Sequence, residues 1–268
     1  RDFCLSRGLG DVYKRQGMTV KTGQIRKDSF TLENYAKLFR SSTAYKPYLV
    51  SILYSFVAAL TVAVICIAVA RIVTKLKHKW DKLYEPLILI PWLLPSTMIA
   101  LGLMMTYDEA RWNLANKVLV ATPVIMLIAY MIIKLPFSYR MIRAAFIGLD
   151  GNMEEAAQVM GAKPFYTMRK VILPIIMPVV LSVVVLNFNG LLSEYDLSVF
   201  LYHPLFQPLG IVIKLATDET ATTDAQAMAF VYTVILMIIS TIALWLGRYD
   251  GIATIKGIFS RKKKENKA

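Results

Sequence analysis

The chain has 268 residues, of which 56% are hydrophobic, and it carries a formal net charge of +13 at pH 7. Soluble domains contain about 45–50% apolar residues, so this composition excludes an ordinary soluble domain and indicates a membrane protein. The cations cluster beside the apolar segments, where anchoring at the membrane surface explains the positive charge better than nucleic-acid binding does.

The first 46 residues precede the first apolar segment. Residues 1–16 have neither the apolar core of a signal peptide nor a packing pattern, and they resemble translated sequencing-adaptor sequence. We therefore expect them not to belong to the natural protein, which would extend further upstream and include at least one more span. Residues 17–46 are expected to form an extracytoplasmic lead-in, with a short amphipathic element at 30–39.

Five segments approach or exceed the roughly 20 apolar residues that cross a hydrocarbon core about 30 Å thick. They cover residues 48–70, 86–107, 118–133, 171–188 and 227–246. Pro91 and Pro95 remove backbone donors from the second segment and are expected to kink or break it. Pro174 and Pro178 lie near the start of the fourth segment. None of the five predicted spans carries Asp, Glu, Lys or Arg in its middle, which argues against a proton relay.

Lys and Arg concentrate in three connections, at residues 71–85, 134–170 and 261–268. Cytoplasmic loops are enriched in these residues, so the three connections are predicted to face the cytoplasm and residues 108–117 and 190–226 to face outwards. The predicted fold is an all-α integral membrane protein with about five transmembrane helices. Its transmembrane domain is expected at 47–247, and a basic cytoplasmic tail at 248–268.

A charged stretch rich in small residues interrupts the apolar pattern between the third and fourth predicted spans. Asn152 is the predicted N-cap of a short helix, with Glu155 three positions later in a capping-box-like arrangement. Gly161 is predicted to end this helix in the left-handed conformation, and Pro164 to occupy the first turn of a second helix. Such a helix in a cytoplasmic loop has the chemistry of a docking element.

The spacing within this stretch resembles a family signature. The pattern begins with Glu155-Ala156-Ala157, followed after three residues by Gly161, after nine more by Val171, and after one more by Leu173-Pro174. This pattern resembles the EAA motif of the permease subunits of binding-protein-dependent ABC importers. Val171 stands where the family has Ile. The resemblance covers about residues 30–250 and implies the type I importer permease core, with a coupling helix between the third and fourth spans. The implied ATPase-coupling residues are Glu155, Ala156, Ala157, Gly161, Leu173 and Pro174.

The resemblance also implies partners. The coupling helix would seat in a groove of separate ABC ATPase subunits, which would use the ATP, and the sequence holds no G-x-x-x-x-G-K-[ST] phosphate loop. Further implied partners are an extracytoplasmic solute-binding protein, a second permease half, fused or separate, and the lipid of a bacterial cytoplasmic membrane. The permease itself would be non-catalytic and would bind no cofactor or metal.

Polar residues near the outer end of the fourth span are candidates for a substrate path. They are Asn187, Asn189, Ser193 and Glu194. Carboxylates here would suit a cation or a polyamine, whereas an anion path would prefer Arg, Lys or helix N-termini. The alternative interpretation is a helix end that turns polar at the interface. Residues 192–213 are most similar to the C-terminal half of fused ferric-iron-type permeases, which implies ferric iron; polyamine, phosphonate, sulfate and thiamine importers are the alternatives.

A second class of function is an ion-coupled secondary transporter or a membrane-embedded enzyme. Either would require ionisable groups within the membrane or a paired set of catalytic side chains. The predicted spans offer neither, and His78 and His203 are predicted to lie on opposite sides of the membrane. The permease interpretation is therefore preferred.

Overall fold

The computed structural model describes five stretches of the chain, residues 33–76, 81–109, 118–120, 122–218 and 220–247. Regular secondary structure in these stretches is helical, apart from an isolated bridge between His203 and Phe206. The all-α fold predicted from the sequence is confirmed. The predictions for residues 1–32 and for the tail at 248–268 lie outside the described residues.

The described helices follow the predicted spans and the segments that join them. They are α1 Glu33–Arg40, α2 Ser42–Leu76, α3 Asp81–Leu93, α4 Ser96–Tyr107, α5 Pro123–Ile147 and α6 Gly151–Val159. The chain continues with α7 Pro164–Thr167, a π-helical turn Met168–Ile172, α8 Leu173–Leu192, α9 Ser198–Leu201, α10 Leu209–Ala216 and α11 Thr223–Gly247. Helix α1 overlaps the amphipathic element predicted at 30–39.

Four helical stretches among the described residues are long and apolar enough to cross a membrane. They are Ala44–Lys75, Pro123–Ile147, Pro164–Leu192 and Ala225–Gly247. A fifth span results if the bent pair α3 and α4 is counted as one. Length and composition therefore support the predicted count of about five.

The second predicted span is broken. Helices α3 and α4 meet at an angle of 102°. Pro95 lies at the break, and its carbonyl accepts hydrogen bonds from the amides of Met98 and Ile99 as α4 begins. A proline disfavours helical backbone in the residue before it, which explains why α3 ends at Leu93. Pro91, also predicted to disturb this span, lies inside α3 without ending it.

Helix α5 extends well beyond its predicted end at residue 133. The cations of this extension have partners within the protein: Arg143 forms an ion pair with Glu85, and the guanidinium carbon of Arg140 lies 5.3 Å from the centre of the Trp92 ring. Partners of this kind let a helix carry charge without unfolding into a loop. Lys134, the first residue beyond the predicted span, is the twelfth of the 25 residues of α5.

The fourth span also starts earlier and ends later than predicted. Its helical stretch covers Pro164–Leu192 instead of 171–188. The amide of Leu173 donates to the carbonyl of Met168, five residues earlier. Pro174 has no amide to continue the normal ladder, and its ring crowds the preceding turn, which favours the wider π-helical turn just before it. Pro178 lies inside α8 without ending it.

Close contacts divide the chain into two units. Of the described residues, the first unit takes those within 33–54, 100–126 and 191–241, and the second takes those within 55–99, 127–190 and 242–247. The core of the first unit contains Leu38, Tyr48, Leu209, Val231 and Tyr232. Within it the hydroxyl of Tyr48 donates to the carbonyl of Tyr232 at 2.9 Å, and the amide of Leu209 donates to the Ser51 hydroxyl at 2.7 Å.

The second unit has its own core, which packs α2, α5 and α8 together. Its buried members are Val62, Ala63, Cys66, Ala70, Tyr139, Ile142, Phe146, Ile172, Ile176, Val180 and Val183. The small side chains of α2 in this core let the neighbouring helices approach closely, as is usual between membrane helices.

Helix α2 also exposes an apolar stripe. The stripe consists of Leu49, Leu53, Phe56, Leu60 and Val64. These residues recur every three or four positions and share one face of the helix. An exposed stripe of this kind suits lipid or the apolar surface of another membrane protein.

Candidate functional site

The predicted coupling helix is present as α6, but it starts before the predicted N-cap. Asp150 caps it: its backbone is extended, and its carboxylate accepts a hydrogen bond from the amide of Asn152 at 3.0 Å. Asn152 lies inside the helix, so the prediction that it is the N-cap is wrong. Both residue types cap well, and the carboxylate of Asp150 is also favoured by the positive end of the helix dipole.

The end of α6 agrees with the prediction. Gly161 has a φ of +81°. Its amide donates to the carbonyl of Gln158 at 2.9 Å, and the amide of Ala162 donates to the carbonyl of Ala157 at 3.0 Å. These two bonds form a Schellman motif, the usual end of a helix at a left-handed glycine. A Cβ at Gly161 would meet no atom within 4 Å, so the requirement for glycine comes from the backbone conformation and not from lack of space.

The second predicted helix also begins where expected. Pro164 occupies the first position of α7, after Lys163 as its N-cap. Helix α7 continues through the π-helical turn into α8, where Leu173 and Pro174 occupy the first two positions. The six predicted coupling residues therefore fall into two groups, four on or next to α6 and two at the base of α8.

One side of α6 is tied to the end of α2. The Oε1 atom of Glu154 accepts hydrogen bonds from Arg71 at 2.5 Å and from Lys75 at 3.2 Å. Ala157, one turn further along α6, is buried. We call Glu154 and Ala157 the inner face of α6. The contact brings together two basic connections of the chain, in agreement with the prediction that both lie on one side of the membrane.

The ion pairs change the titration of Glu154. The hydrogen bond from Arg71 is the largest influence and holds the pKa of the Glu154 carboxyl below its ordinary value of 4.5, and Lys75 acts in the same direction. Glu154 was not among the predicted coupling residues. A signal was present in the sequence, because Arg71 and Lys75 are four residues apart and thus share one face of α2. The sequence could not show which carboxylate that face would meet.

The opposite side of α6 is exposed. Glu155 and Ala156 of the motif are exposed there. Val159 is 88% exposed and Met160 82%, and Phe165 at the start of the next helix is 78% exposed. We call these five residues the outer face. Large apolar side chains grouped around a carboxylate, on a helix that joins two spans, are typical of a protein-docking surface.

A cavity of about 590 Å³ lies beside the inner face. The ends of α2 and α5, helix α6 and the start of α8 form its walls, and Arg71, Glu154, Glu155, Ile172 and Ile175 are among the lining residues. Side chains of the described residues leave this space beside α6 unfilled.

The predicted substrate-path residues fall into different units. In the second unit Asn187 is buried, and its amide donates to the hydroxyl of Ser138 at 2.6 Å, while Asn189 is partly buried. In the first unit Ser193 is exposed, and the backbone carbonyl of Glu194 accepts from the hydroxyl of Ser198 at 2.9 Å. Asn187 and Asn189 therefore belong to a different unit from Ser193 and Glu194.

Residues 65–249 match the family described as binding-protein-dependent transport system inner membrane component. A similar protein is the "Probable ABC transporter permease protein y4fN" of Sinorhizobium fredii strain NBRC 101917 / NGR234, with 34% identity over 212 residues. The match covers 79% of this chain but 37% of that relative, so the chain spans little more than a third of its length.

In two further relatives the match covers most of both chains. PhnV of Salmonella choleraesuis strain SC-B67, named for 2-aminoethylphosphonate transport, is 24% identical, and the match covers 82% of each chain. The cysT protein of Nephroselmis olivacea, named for sulfate transport, is 24% identical, with coverage of 80% of this chain and 77% of the relative. Both names describe permease proteins of transport systems.

Solved structures show the same fold. A chain of a bacterial ABC transporter that imports the acidic polysaccharide alginate has a TM-score of 0.72 at 17% identity, covering 91% of each chain. The MetNI methionine ABC transporter gives a TM-score of 0.59 at 16% identity, over 79% of this chain and 94% of that one. The family match covers more than half of the chain, including α6 and its motif. The chain therefore belongs to the inner membrane components of binding-protein-dependent transport systems, the permease subunits of ABC importers.

Proposed function

We propose that this chain forms part of the membrane path of an ATP-driven importer, and that it passes solute from an extracytoplasmic solute-binding protein across the bacterial cytoplasmic membrane. The observation that carries the proposal is the outer face of α6. It presents Glu155, Ala156 and exposed apolar side chains between two spanning helices. The family motif lies at the same place in the chain.

The outer face is proposed to dock in a groove of a separate ABC ATPase subunit. Apolar side chains would fill the groove, and Glu155 would meet a basic group at its edge. ATP binding and hydrolysis would occur in that partner, and the permease would remain non-catalytic. Because a ligand shifts a conformational equilibrium only through contacts that differ between the states, the ATPase would act through changes at this face.

The inner face is proposed to transmit the movement to the membrane helices. Glu154 joins α6 to α2 through Arg71 and Lys75. Helix α2 then runs on through the core of the second unit. A displacement of α6 would therefore pull on the end of the longest helix in the described part of the chain.

A second permease half is proposed to complete the path, and the lipid bilayer to surround it. This second half would be either fused to the present chain or a separate subunit. The match to 37% of the y4fN relative is the relation expected between one half and a fused pair. The match to 82% of PhnV is the relation expected between two separate subunits.

Two substrate classes are proposed. Ferric iron follows from the resemblance of residues 192–213 to ferric-iron-type permeases, with Glu194 as a carboxylate that suits a cation. A small oxyanion is the second candidate, favoured by the relatives named for 2-aminoethylphosphonate and sulfate transport. A cation near the middle of α5, Lys134, supports the oxyanion.

ATP-driven uptake into proteoliposomes tests the proposal. The permease, with its ATPase and binding protein, would be offered labelled ferric iron, 2-aminoethylphosphonate and sulfate. We expect uptake of one probe class that requires ATP and the binding protein.

The control is the double variant Glu155→Lys, Gly161→Val, which changes only the loop between α5 and α7. It should insert into the membrane normally and abolish transport. Normal uptake by this variant would contradict a coupling role for α6.

A further inference from the structure

An open groove lies between α3 and α5, and both of its walls belong to the second unit. The residues of the α3 wall recur every three or four positions, so they share one face of that helix. They are Glu85, Pro86, Leu89, Trp92 and Leu93. Arg140 lines the groove from α5. The volume of about 730 Å³ falls within the range of about 300–1,000 Å³ that is usual for small-molecule sites.

The groove carries an excess of positive charge. Of the described residues that line it, only Glu85 has a carboxylate, and this carboxylate is ion-paired with Arg143, which does not line the groove. The guanidinium carbon of Arg140 lies 5.3 Å from the centre of the Trp92 ring, a distance typical of a cation–π contact. No described carboxylate forms an ion pair with Arg140. Its positive charge therefore awaits an anion from outside the described part of the chain.

The contact with Trp92 leaves the hydrogen-bond donors of Arg140 available. A guanidinium carries five N–H donors, whereas a Trp side chain offers a donor and no acceptor, so the ring forms no conventional hydrogen bond with them. Arg140 is exposed, which makes these donors accessible. The fork of a guanidinium matches the oxygens of a phosphate, and such paired, charge-assisted hydrogen bonds are strong.

Apolar surface continues from the groove along α3. Leu93 is 82% exposed, and Leu87 and Trp92 are exposed as well. Apolar surface next to a cation suits a ligand that is anionic at one end and apolar at the other. Trp and Arg are also the side chains that place their apolar parts against hydrocarbon and their polar ends among lipid headgroups. Basic pockets between membrane helices bind the headgroups of anionic lipids.

We propose that the groove between α3 and α5 binds an anionic phospholipid, with the lipid phosphate on Arg140 and an acyl chain along Leu89 and Leu93. Trp92 positions the guanidinium at the groove. A lipid bound in this way contacts both walls and joins α3 to α5. The inference requires a membrane and no particular ATPase or transported solute, so it goes beyond the proposed function and stands or falls separately from it.

The experiment uses the full-length chain purified in detergent, with bound molecules counted by native mass spectrometry during a titration. The probes are phosphatidylglycerol, which is anionic, phosphatidylcholine, which is zwitterionic, and glycerol 3-phosphate, which has no acyl chains. We expect phosphatidylglycerol to bind at least about tenfold more tightly than the other two, because it alone combines a net negative charge with an apolar tail.

The first pair of variants tests the charge. Arg140→Gln removes it from the groove, and Arg169→Gln removes an exposed Arg that does not line the groove, as a matched control. Loss of a charged hydrogen bond predicts that Arg140→Gln lowers the affinity for phosphatidylglycerol at least about tenfold. Arg169→Gln should stay within about threefold of the wild type. Equal losses in the two variants would indicate general attraction of the lipid to positive surface and would overturn the inference.

A second pair of variants keeps Arg140. Leu93→Glu puts a carboxylate into the groove, and Leu87→Glu puts the same charge at an exposed position of α3 that does not line it. Leu93→Glu should lower the affinity for phosphatidylglycerol at least about tenfold, because the carboxylate competes with the phosphate for Arg140. Leu87→Glu should stay within about threefold. If Arg140→Gln fails to fold, this pair decides the matter, and equal affinities in the two would contradict the inference.

Other results would identify another occupant. Binding of glycerol 3-phosphate as tight as that of phosphatidylglycerol would make the groove a site for a free phosphate and overturn the lipid inference. Equal affinities for the two lipids would show that Arg140 does not select the headgroup, with the same consequence. If Leu93→Glu separates two copies of the chain and leaves lipid binding unchanged, the groove is a contact between copies. The capture of an ATPase tests the proposed function and is independent of all these results.

Discussion

The inner and outer faces of α6 place two neighbouring carboxylates in opposite surroundings. Glu154 accepts hydrogen bonds from Arg71 and Lys75, and Ala157 beside it is buried. Glu155 and Ala156 are exposed on the other side. Successive residues of a helix point about 100° apart, so neighbours in sequence can serve different contacts. Within the E-A-A motif, Ala157 therefore packs against the protein, whereas Glu155 and Ala156 lie on the exposed surface.

Because of this difference, substitutions on the two faces should have different effects. The inner face is satisfied within the chain, so changes there should alter the position or stability of α6. The outer face exposes apolar side chains that the described part of the chain leaves uncovered, so changes there should alter binding of a partner and leave the permease itself intact. Five predictions test this division.

The largest effect is expected on the outer face. Val159→Glu combined with Phe165→Glu would put two charges into the centre of the proposed docking surface. Buried apolar anchors of an interface each contribute about 2 kcal/mol or more, so ATPase capture should fall at least a hundredfold in a pull-down or titration. The control is Leu205→Glu, which adds a charge at an exposed apolar position of the first unit. Equal ATPase binding by the double variant and the control would contradict the proposal that the outer face docks on the ATPase.

A smaller effect is expected from the charge of the outer face alone. Glu155→Lys should weaken ATPase binding about tenfold or more, because a like charge would then face the basic group of the partner. Glu155→Gln should lie between this variant and the wild type. The thermal stability of the permease should not change, since Glu155 is exposed. A stability loss without a binding loss would assign Glu155 to the inner face instead.

Gly161 ends α6, and the geometry of this end helps to orient the inner and outer faces of the helix. Gly161→Ala forces a side chain into the left-handed region and should cost about 1–2 kcal/mol. Gly151→Ala is a matched control, because a Cβ at either glycine would meet no atom within 4 Å and only Gly161 has a positive φ. Hydrogen exchange at the amide of Ala162 should speed up in the first variant only. Equal protection in both would show that the Schellman bonds do not stabilise the helix end.

The ion pairs of the inner face should give the smallest effect. Partly exposed pairs contribute about 0.2–1 kcal/mol, so Glu154→Gln should loosen α6 slightly without unfolding the protein. The exchange variant Arg71→Glu, Glu154→Arg should recover part of the loss, whereas Arg71→Glu alone should not. Local exchange rates along α6 provide the measurement. No difference between the single and the exchange variant would show that the pair does not hold the helix.

The same pair predicts a dependence on pH. The pKa of Glu154 is lowered in the folded protein, so the pair contributes fully above the ordinary value of 4.5 and is lost as pH falls through the lowered value. Helix α6 should therefore exchange at a constant rate near neutral pH and faster in acid. Glu154→Gln should remove this acid dependence.

The sequence predicted those parts of the site that depend on neighbouring residues. The left-handed end at Gly161 and the helix start at Pro164 follow from backbone preferences that need no distant partner. The N-cap was misplaced by two residues, because Asp150 and Asn152 cap equally well and only the backbone conformation distinguishes them. The break in the second span was predicted, but sequence alone could not select Pro95 over Pro91.

The ends of the third and fourth spans show where sequence reasoning fails. Lys134, Arg140 and Arg143 were interpreted as a loop cluster because charge normally marks the end of a span. Arg140 and Arg143 remain in α5 because Trp92 and Glu85, about 50 residues earlier, lie beside them. Distant partners of this kind are invisible in the local pattern.

Composition, periodicity and local backbone signals were enough to determine a helical membrane protein with about five spans and a capped helix between two of them. These properties depend on the solvent and on residues within a few positions of each other. Only the tertiary structure decided which carboxylate of α6 faces α2, and that Lys134 meets the end of α8. Those contacts join residues 56 to 83 positions apart, and they exist because packing of whole helices places the side chains together.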